Sequence, residues 1–502
     1  MRRFLVAILL VSTAAPAAEV RFDGAYQLRL NFNSNYLLDP DQRLGQTGYA
    51  EHRLRLTPKI VEQERIELQA QFDVVSGLFA GDLAPSFGEL GWTERSQQNG
   101  VKARGFDFRY LFATIRLPVG LLQFGQMPNH WGMGLVANSG EGMDATDFGD
   151  LRFGDIVDGF LFGTRPLTFL GPRSVLATQV VAGIAGHVIY RDRYASLVTR
   201  SGSGLAFADV ALQGVFFTRW EPSELTRVGF YAARRSQSYA NDAGNLHVWV
   251  FDVHARTEIV LPSIASSLRL EAEGAEIYGG TSHLANLNSE SARVAQQGLV
   301  VRATVTRNEF EVELEGGYAS GDSNPFDDAA TGFQANRDYK VGLVLWDEVM
   351  LFQTQNGARR LGDPNLSGRP GGAVDLIPTE GAVTNALYLN PRVRFKPGLF
   401  DGRLRAVAGV LFTRAPQPVA DAYQSYLAST PRNVFGAAAG KSYGTEVDLG
   451  LTWRMSFTQD RQVGLEVGGQ YGVLFPGDVF TRADGSALGP IHAFKFRSTL
   501  FF

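Results

Sequence analysis

The sequence has 502 residues and not one cysteine, so no disulfide framework can hold it together. In an exported chain that absence also avoids unwanted cross-linking in an oxidising compartment. Net charge is almost missing as well. Against 51 Asp and Glu stand 47 Lys and Arg, a balance of −4 that offers nucleic acid no basic footprint. Long apolar runs are absent too. Beyond the first residues, one stretch free of Asp, Glu, Lys and Arg runs from Ser174 to Tyr190 and contains Thr178, Gln179, Gly183, Gly186 and His187. A spanning helix needs about 20 mostly apolar residues, so this segment reads as a β-branched strand leading into a loop. Helical i, i+3, i+4 stripes are nearly absent. Catalytic signatures are missing as well: the seven His residues are dispersed, with no H-E-x-x-H pair and no Ser/His/Asp set. Gly132 to Ala137 matches G-x-G-x-x-A, but no strand–turn–helix unit surrounds it, which makes it a chance match. The expectation is a chain that is not an enzyme and uses no cofactor and no metal.

What is plentiful is glycine (56), Phe (35) and Tyr (16), against 6 Trp and 6 Met. That balance suggests apolar bands rather than a few packed cores. The first residues carry an export address: a basic Met1-Arg2-Arg3, an apolar stretch over 4–11, and an A-x-A site at Ala15-Pro16-Ala17. We therefore expect a signal peptide at 1–17 and one barrel over 18–502.

Period decides the architecture, because strand side chains alternate faces. Tyr26, Leu28, Leu30 and Phe32 alternate with Gln27, Arg29, Asn31 and Asn33. Leu54 and Leu56 alternate with Arg53, Arg55 and Thr57; Phe310, Val312 and Leu314 with Glu309, Glu311, Glu313 and Glu315. Val447, Leu449, Leu451 and Trp453 alternate with Glu446, Asp448, Thr452 and Arg454. Short turns near 62–64, 118–120, 221–224, 262–265, 307–309, 397–402 and 458–461 alternate with long polar connections, the pattern of short periplasmic turns and long outer loops. The prediction is all-β: a transmembrane antiparallel barrel of about 18 strands, in the range 16 to 20, in the cell outer membrane. Segments near 120–127 and 348–356 are too weak to assign. The last strand places Phe494, Phe496, Ser498, Leu500 and Phe502 on one face. A terminal Phe with apolar residues at every second position resembles the signal read by the barrel-assembly machinery, so Phe494, Phe496, Leu500 and Phe502 are the candidate assembly signal. Expected partners are outer-membrane lipid and that machinery.

Two blocks resemble a known family. Gly317-Tyr318-Ala319-Ser320-Gly321-Asp322, and Tyr443-Gly444-Thr445-Glu446-Val447-Asp448-Leu449 followed by Tyr471-Gly472 and Phe475-Pro476-Gly477, look like the alginate-export barrels, most clearly over 300–502. That resemblance implies 18 strands and an arginine-rich pore for an acidic polysaccharide. Met127-Pro128-Asn129-His130-Trp131-Gly132-Met133-Gly134 resembles an uncharacterised outer-membrane barrel family of predatory and gliding deltaproteobacteria.

Inward places in the wall predict the lining. The basic candidates are Arg29, Arg53, Arg55, Arg392, Arg394, Lys396, Arg403 and Arg405; the acidic ones are Glu271, Glu273, Glu309, Glu311, Glu313 and Glu315. Opposed walls of unlike charge would set a transverse field across a wet pore, although any wide barrel has a charged lining. The segment 128–156 carries His130 and Trp131, then Glu141, Asp144, Asp147, Asp150 and Asp155 among glycines. It reads as a loop folded into the lumen that constricts it, with His130, Trp131, Asp144 and Asp147 at the constriction. The other readings are an ordinary outer loop, or a calcium site whose spacing lacks the D-x-D-x-D-G pattern. The function expected is a channel for polar or charged solutes, with an anionic exopolysaccharide as one cargo and small solutes as another. The alternative is a structural or interaction barrel of an envelope-spanning motility or secretion machine.

Overall fold

The computed structural model describes residues 18–81, 102–104, 106–142, 147–152, 154–171, 174–191, 210–239, 244–262, 266–284, 289–363, 365–366, 378–399, 403–458 and 463–502. The expected signal peptide at 1–17 and the candidate Asp144 lie outside them. The wall is built from β1 Glu19–Asn33, β2 Thr47–Glu62, β3 Ile66–Gly81, β4 Asp107–Leu117, β5 Gly120–Pro128, β6 Ile156–Thr164, β7 Val180–Arg191, β8 Val210–Ser223 and β9 Thr226–Ser238. It continues through β10 Asn245–Leu261, β11 Ser266–Thr281, β12 Ala292–Arg307, β13 Phe310–Ala319, β14 Ala386–Phe395, β15 Leu404–Arg414, β16 Ser442–Ser456, β17 Gly464–Pro476 and β18 Ile491–Phe501. Each strand pairs antiparallel with the next. The ring closes where β1 meets β18, from Ala25 opposite Phe501 to Asn33 opposite Ala493. The result is a closed antiparallel barrel of 18 strands. Two shorter pieces, Lys102–Arg104 and Ala329–Ala330, pair with β3 and β12 without joining the cylinder.

Closure follows from the two-faced strands: a main chain between lipid and lumen has no water for unpaired N–H and C=O groups, so no edge survives. Burial alternates accordingly. In β1, Gln27, Arg29, Asn31 and Asn33 are buried inward while Tyr26 and Phe32 stay exposed outward. Each of the seven expected short turns lies at a junction of consecutive strands, although 221–223 still belong to β8, and the β2–β3 turn bends through Gln63 and Glu64 at φ 48° and 56°. An eighth was missed because it is longer: residues 165–179 hold the 3-10 turn Pro166–Leu170 and a short helix α1, Val175–Gln179. The charge-free stretch from Ser174 is thus helical first and becomes strand only from Val180.

Of the two weak segments, 120–127 is wall strand β5. The other is not a strand: Leu345–Met350 forms a π-helical turn that runs into helix α2, Leu351–Leu361. The polar stretches 320–337 and 357–384 on either side of it are therefore parts of one connection between β13 and β14. We call it L7, and the connection between β5 and β6 L3. Residues of L3 and L7 supply much of the buried apolar core, including Trp131, Phe148, Phe333 and Trp346.

Candidate functional site

L3 crosses the barrel. It begins on β10 and β11, where the Trp131 indole donates to Asp252 at 3.0 Å and its ring packs 5.4 Å from Tyr231. The backbone N–H groups of Met133 and Leu135 both donate to the Glu273 carboxylate, the latter at 3.1 Å. The chain can hook around that carboxylate because Gly132 and Gly134 adopt φ 59° and 83°, a region side-chain-bearing residues rarely enter. The G-M-G that mimicked a nucleotide motif serves this bend. Farther along, L3 reaches the far wall: Asp150 ion-pairs with Arg29 at 3.7 Å and with Arg497, while Arg53 donates to the Leu151 carbonyl at 3.1 Å. In a ring of 18 strands, β10 lies nine from β1, so this one segment spans the diameter.

Asp147 sits between these ends, enclosed by three guanidiniums. Arg392 is 3.5 Å away, Arg394 donates from Nε at 2.8 and 2.9 Å, and Arg405 completes the set. Burial works against the charged carboxyl, but Arg394, Arg392 and Arg405 hold it down at about 2. Asp150 is likewise held low by Arg497 and Arg29 against its burial. The wall makes room for this part of L3. A Cβ at Gly409 would approach the Phe148 ring at 3.0 Å, so the glycine is a socket for that side chain.

L7 lines the side formed by β13 to β18 and β1. Glu446 accepts three successive backbone N–H groups, from Leu343, Val344 and Leu345, at 2.6, 2.8 and 2.7 Å. Asp347 pairs with Lys340 and Lys495, both at 2.6 Å, and Glu348 with Lys495 at 2.8 Å. These cations keep the Asp347 carboxyl well below the usual range despite full burial. The Asn390 amide donates to the Val341 carbonyl at 2.6 Å, and Tyr339 donates to Glu315 at 3.0 Å. The two inserts also hold each other. Asp338 of L7 accepts from the N–H groups of Arg152 and Gly154 at 2.7 and 2.6 Å, and Asn336 donates to Asp155 at 2.6 Å.

Arg29, Arg53, Arg55, Arg392 and Arg394 are buried on the inner face, Arg55 clasping Asp73 at 2.8 Å. Arg405 points inward and is partly exposed. Lys396 and Arg403 are not in the wall. They fall in the β14–β15 turn, because Pro397 ends the ladder, and Lys396 is exposed beside Glu311 at 2.9 Å. Glu309 is likewise a turn residue, accepting from Gly398 N–H at 3.1 Å. Glu271 contacts His254 at 3.1 Å and Glu273 grips L3. His130 is exposed beside Trp131. Phe494, Phe496, Leu500 and Phe502 point away from the lumen, opposite to buried Lys495 and Arg497.

One expectation is overturned. The basic and acidic walls do not oppose one another: β13 is hydrogen-bonded to β14, with Glu311 opposite Arg394 and Glu313 opposite Arg392. Arg392 meets Glu313 at 2.5 Å and Glu315 at 2.6 Å. The walls neutralise each other side by side rather than set up a transverse field. Sixty-six residues of L7 separate the two strands in sequence, and because L7 turns inward instead of adding wall, they end up adjacent. Among the described residues no carboxylate cluster suits the calcium reading, since Asp147, Asp150 and Asp155 go to separate partners. Sequence reading placed Glu446 and Asp448 on the polar face of their strand without assigning them to the lining, and it missed Arg109, Lys495 and Arg497, all at inward places of alternating strands. Asp338 and Asp347 carried no such signal.

No protein-family model and no curated protein matches the chain. Solved structures do. The chain is similar to Pseudomonas aeruginosa OpdK with vanillate, at 10% identity and TM-score 0.51 over 96% of this chain and 98% of that one. It resembles P. aeruginosa OccK2 (OpdF) in complex with glucuronate, at 7% identity and TM-score 0.50 over 96% of each chain. The outer membrane protein OprD of the same organism matches at 10% identity and TM-score 0.50, over 96% and 94%. The likeness is one of fold, and it does not single out the alginate-export family. The molecule has the fold of these outer-membrane proteins, a closed antiparallel barrel of 18 strands.

Proposed function

We propose that this chain is a filtering outer-membrane channel that passes small polar or charged solutes through a lumen narrowed by L3 and L7. The observation carrying this reading is the course of L3 from β10 to β1 across the barrel, with L7 pinned to it through Asp338. Pores sort solutes by width and by the charges that line them, and here both are set by the same ion pairs. Trp131, Asp147, Arg392, Arg394 and Arg405 are the residues we assign to the constriction, with Arg29, Arg53 and Arg55 lining the approach opposite. OpdK was solved with vanillate and OccK2 with glucuronate, both small solutes, which supports a small cargo here. An extended anionic polysaccharide, implied by the alginate-export resemblance, is the less favoured cargo. Its passage needs a broad clear lumen and free arginines, and the Arg392 and Arg394 guanidiniums are engaged by carboxylates.

The test is conductance. Purified protein in planar bilayers should insert in steps and conduct ions, and charge reversal at Arg392, Arg394 and Arg405 should shift the anion-to-cation preference by about two- to fivefold toward cations. Correctly folded protein that leaves bilayers silent would defeat the channel reading and favour a structural barrel.

A further inference from the structure

The lining breaks its own rule on one side. A wet barrel carries polar side chains inward, yet Ala233 of β9, Val248 and Val250 of β10, Ile277 of β11 and Val294 of β12 all point inward and are buried. The same strands are apolar outward, through Trp249, Phe251 and Val253, so the inner aliphatic face is not a slip of register. The inserts cover part of this face but do not fill it. Between it and the flank of L3 and L7 lies a chamber, part of it open to solvent, floored by Phe333 of L7 and by Val136 and Ala137 of L3.

Nine of the lining residues are polar, six of them uncharged: Asn129, Gln213, Gln296, Gln334, Asn336 and Tyr231. The charges at its margin already have partners. Arg337 pairs with Glu380 at 2.6 Å, Arg235 donates to Gln237 at 2.5 Å, and Asp155 accepts from Asn336. Burying an ion among aliphatic walls without a fresh counter-charge is strongly unfavourable, whereas an apolar ring entering a poorly hydrated apolar cavity gains with each contact. The uncharged amides of Gln213, Gln296, Gln334 and Asn336 can exchange a present partner for a hydroxyl group without any change of charge.

We propose that this chamber is a binding site for a small uncharged solute that joins an apolar ring to hydroxyl groups, of which an aryl glycoside is the model. The proposal rests on the channel reading for its purpose, as a side station in the lumen, but not for its existence. The probe is phenyl β-glucoside, with methyl β-glucoside as the ring-free control, titrated calorimetrically onto the full chain reconstituted in liposomes, so that detergent does not compete.

The phenyl compound should bind at least about tenfold more tightly than the methyl one, the increment expected for burying one ring. Ala233→Phe fills the chamber from the wall, Ala335→Phe fills it from L7, and Val250→Asn makes it polar without bulk. Each should cut phenyl β-glucoside affinity by about fivefold or more while leaving ion selectivity unchanged. Heat-modifiable migration on gels identifies the variants that fold, and three variants on separate elements keep at least one informative. Equal binding of the two glucosides, no binding of either, or full affinity in the folded variants overturns the proposal. Conduction without aryl binding defeats the chamber alone. Aryl binding by a silent barrel supports the chamber and defeats only the channel reading.

Discussion

Asp147 is shared by three arginines, two of which also meet the carboxylates of Glu311, Glu313 and Glu315. Removing its charge while keeping its shape, Asp147→Asn, leaves Arg392, Arg394 and Arg405 with excess positive charge at the constriction. Close charges near a protein surface interact by several kcal/mol, about 4 at 4 Å with an effective dielectric of 20. Anion preference should therefore rise by about two- to fivefold, read as reversal potential in a salt gradient. An unchanged potential would place the ion path elsewhere. Because the Asp147 carboxyl is held at about 2, its anchoring is present above the ordinary carboxylate range and fades only as pH falls through about 2. Wild-type selectivity should owe no pH dependence between 4 and 8 to this group. Asp421 behaves in the opposite sense. It caps helix α3, Ala422–Ala428, by accepting from Gln424 N–H at 2.8 Å, and burial pushes its carboxyl up to about 6. A carboxyl raised above its unfolded value stabilises below that value and loses the contribution as pH rises through about 6. Thermal stability should fall between pH 4 and 7 by an amount on the order of 2 kcal/mol, and Asp421→Asn, which keeps the cap acceptor, should flatten the slope. A slope surviving in that variant would assign it to another group.

At the scale of elements, the strands could be read from the sequence and the inserts could not. Alternation in β1, β2, β13, β16 and β18 gave both faces, because lipid and lumen impose a period of two on every wall segment. L7 has no such period. Its helix α2 is short, buried through Leu351, Phe352, Asn356 and Leu361 with Arg359 exposed, and what holds L7 is backbone N–H groups of Leu343, Val344 and Leu345 meeting Glu446, a contact that leaves no mark on the residue types of L7 itself. The same gap hid the neighbourhood of β13 and β14. Trp131 and Asp147 were legible as an inward loop through an aromatic and acids among glycines, but their partners Asp252, Arg405 and Tyr231 required the fold. Glu446 provides the test of how L7 is fixed. Glu446→Gln keeps the bulk yet offers one neutral acceptor to three donors, so buried N–H groups lose their partner at about 1–3 kcal/mol each when unmet. We expect a barrel that still assembles, with single-channel current noisier than wild type and L7 more readily cut by added protease. Quiet current and unchanged proteolysis would mean that Lys495 and Asn390 suffice to hold the insert.

For the whole molecule the decisive event is closure. A sheet of 18 strands has two edges until β1 finds β18, and each edge exposes a row of unmet backbone groups. The seam ends in a clasp: Gly24 N–H donates to the Phe502 carbonyl at 2.7 Å, Phe502 N–H donates to the Gly24 carbonyl at 3.0 Å, and the Phe502 ring covers Gly24, which has no side chain to obstruct it. Removing Phe502 deletes two hydrogen bonds with a net value of about 1 kcal/mol each, a small loss against a ladder that runs around the entire wall. If Phe502 acts only through those contacts, barrels lacking it should assemble in normal amount and unfold at slightly lower temperature. If the exposed row of Phe494, Phe496, Leu500 and Phe502 is also what the assembly machinery reads, the amount in the outer membrane should fall several-fold while the heat-modifiability of what does assemble barely changes. We expect the second pattern. Membrane fractionation and gel migration of the same deletion variant separate the two, because the first measures delivery and the second measures the finished barrel.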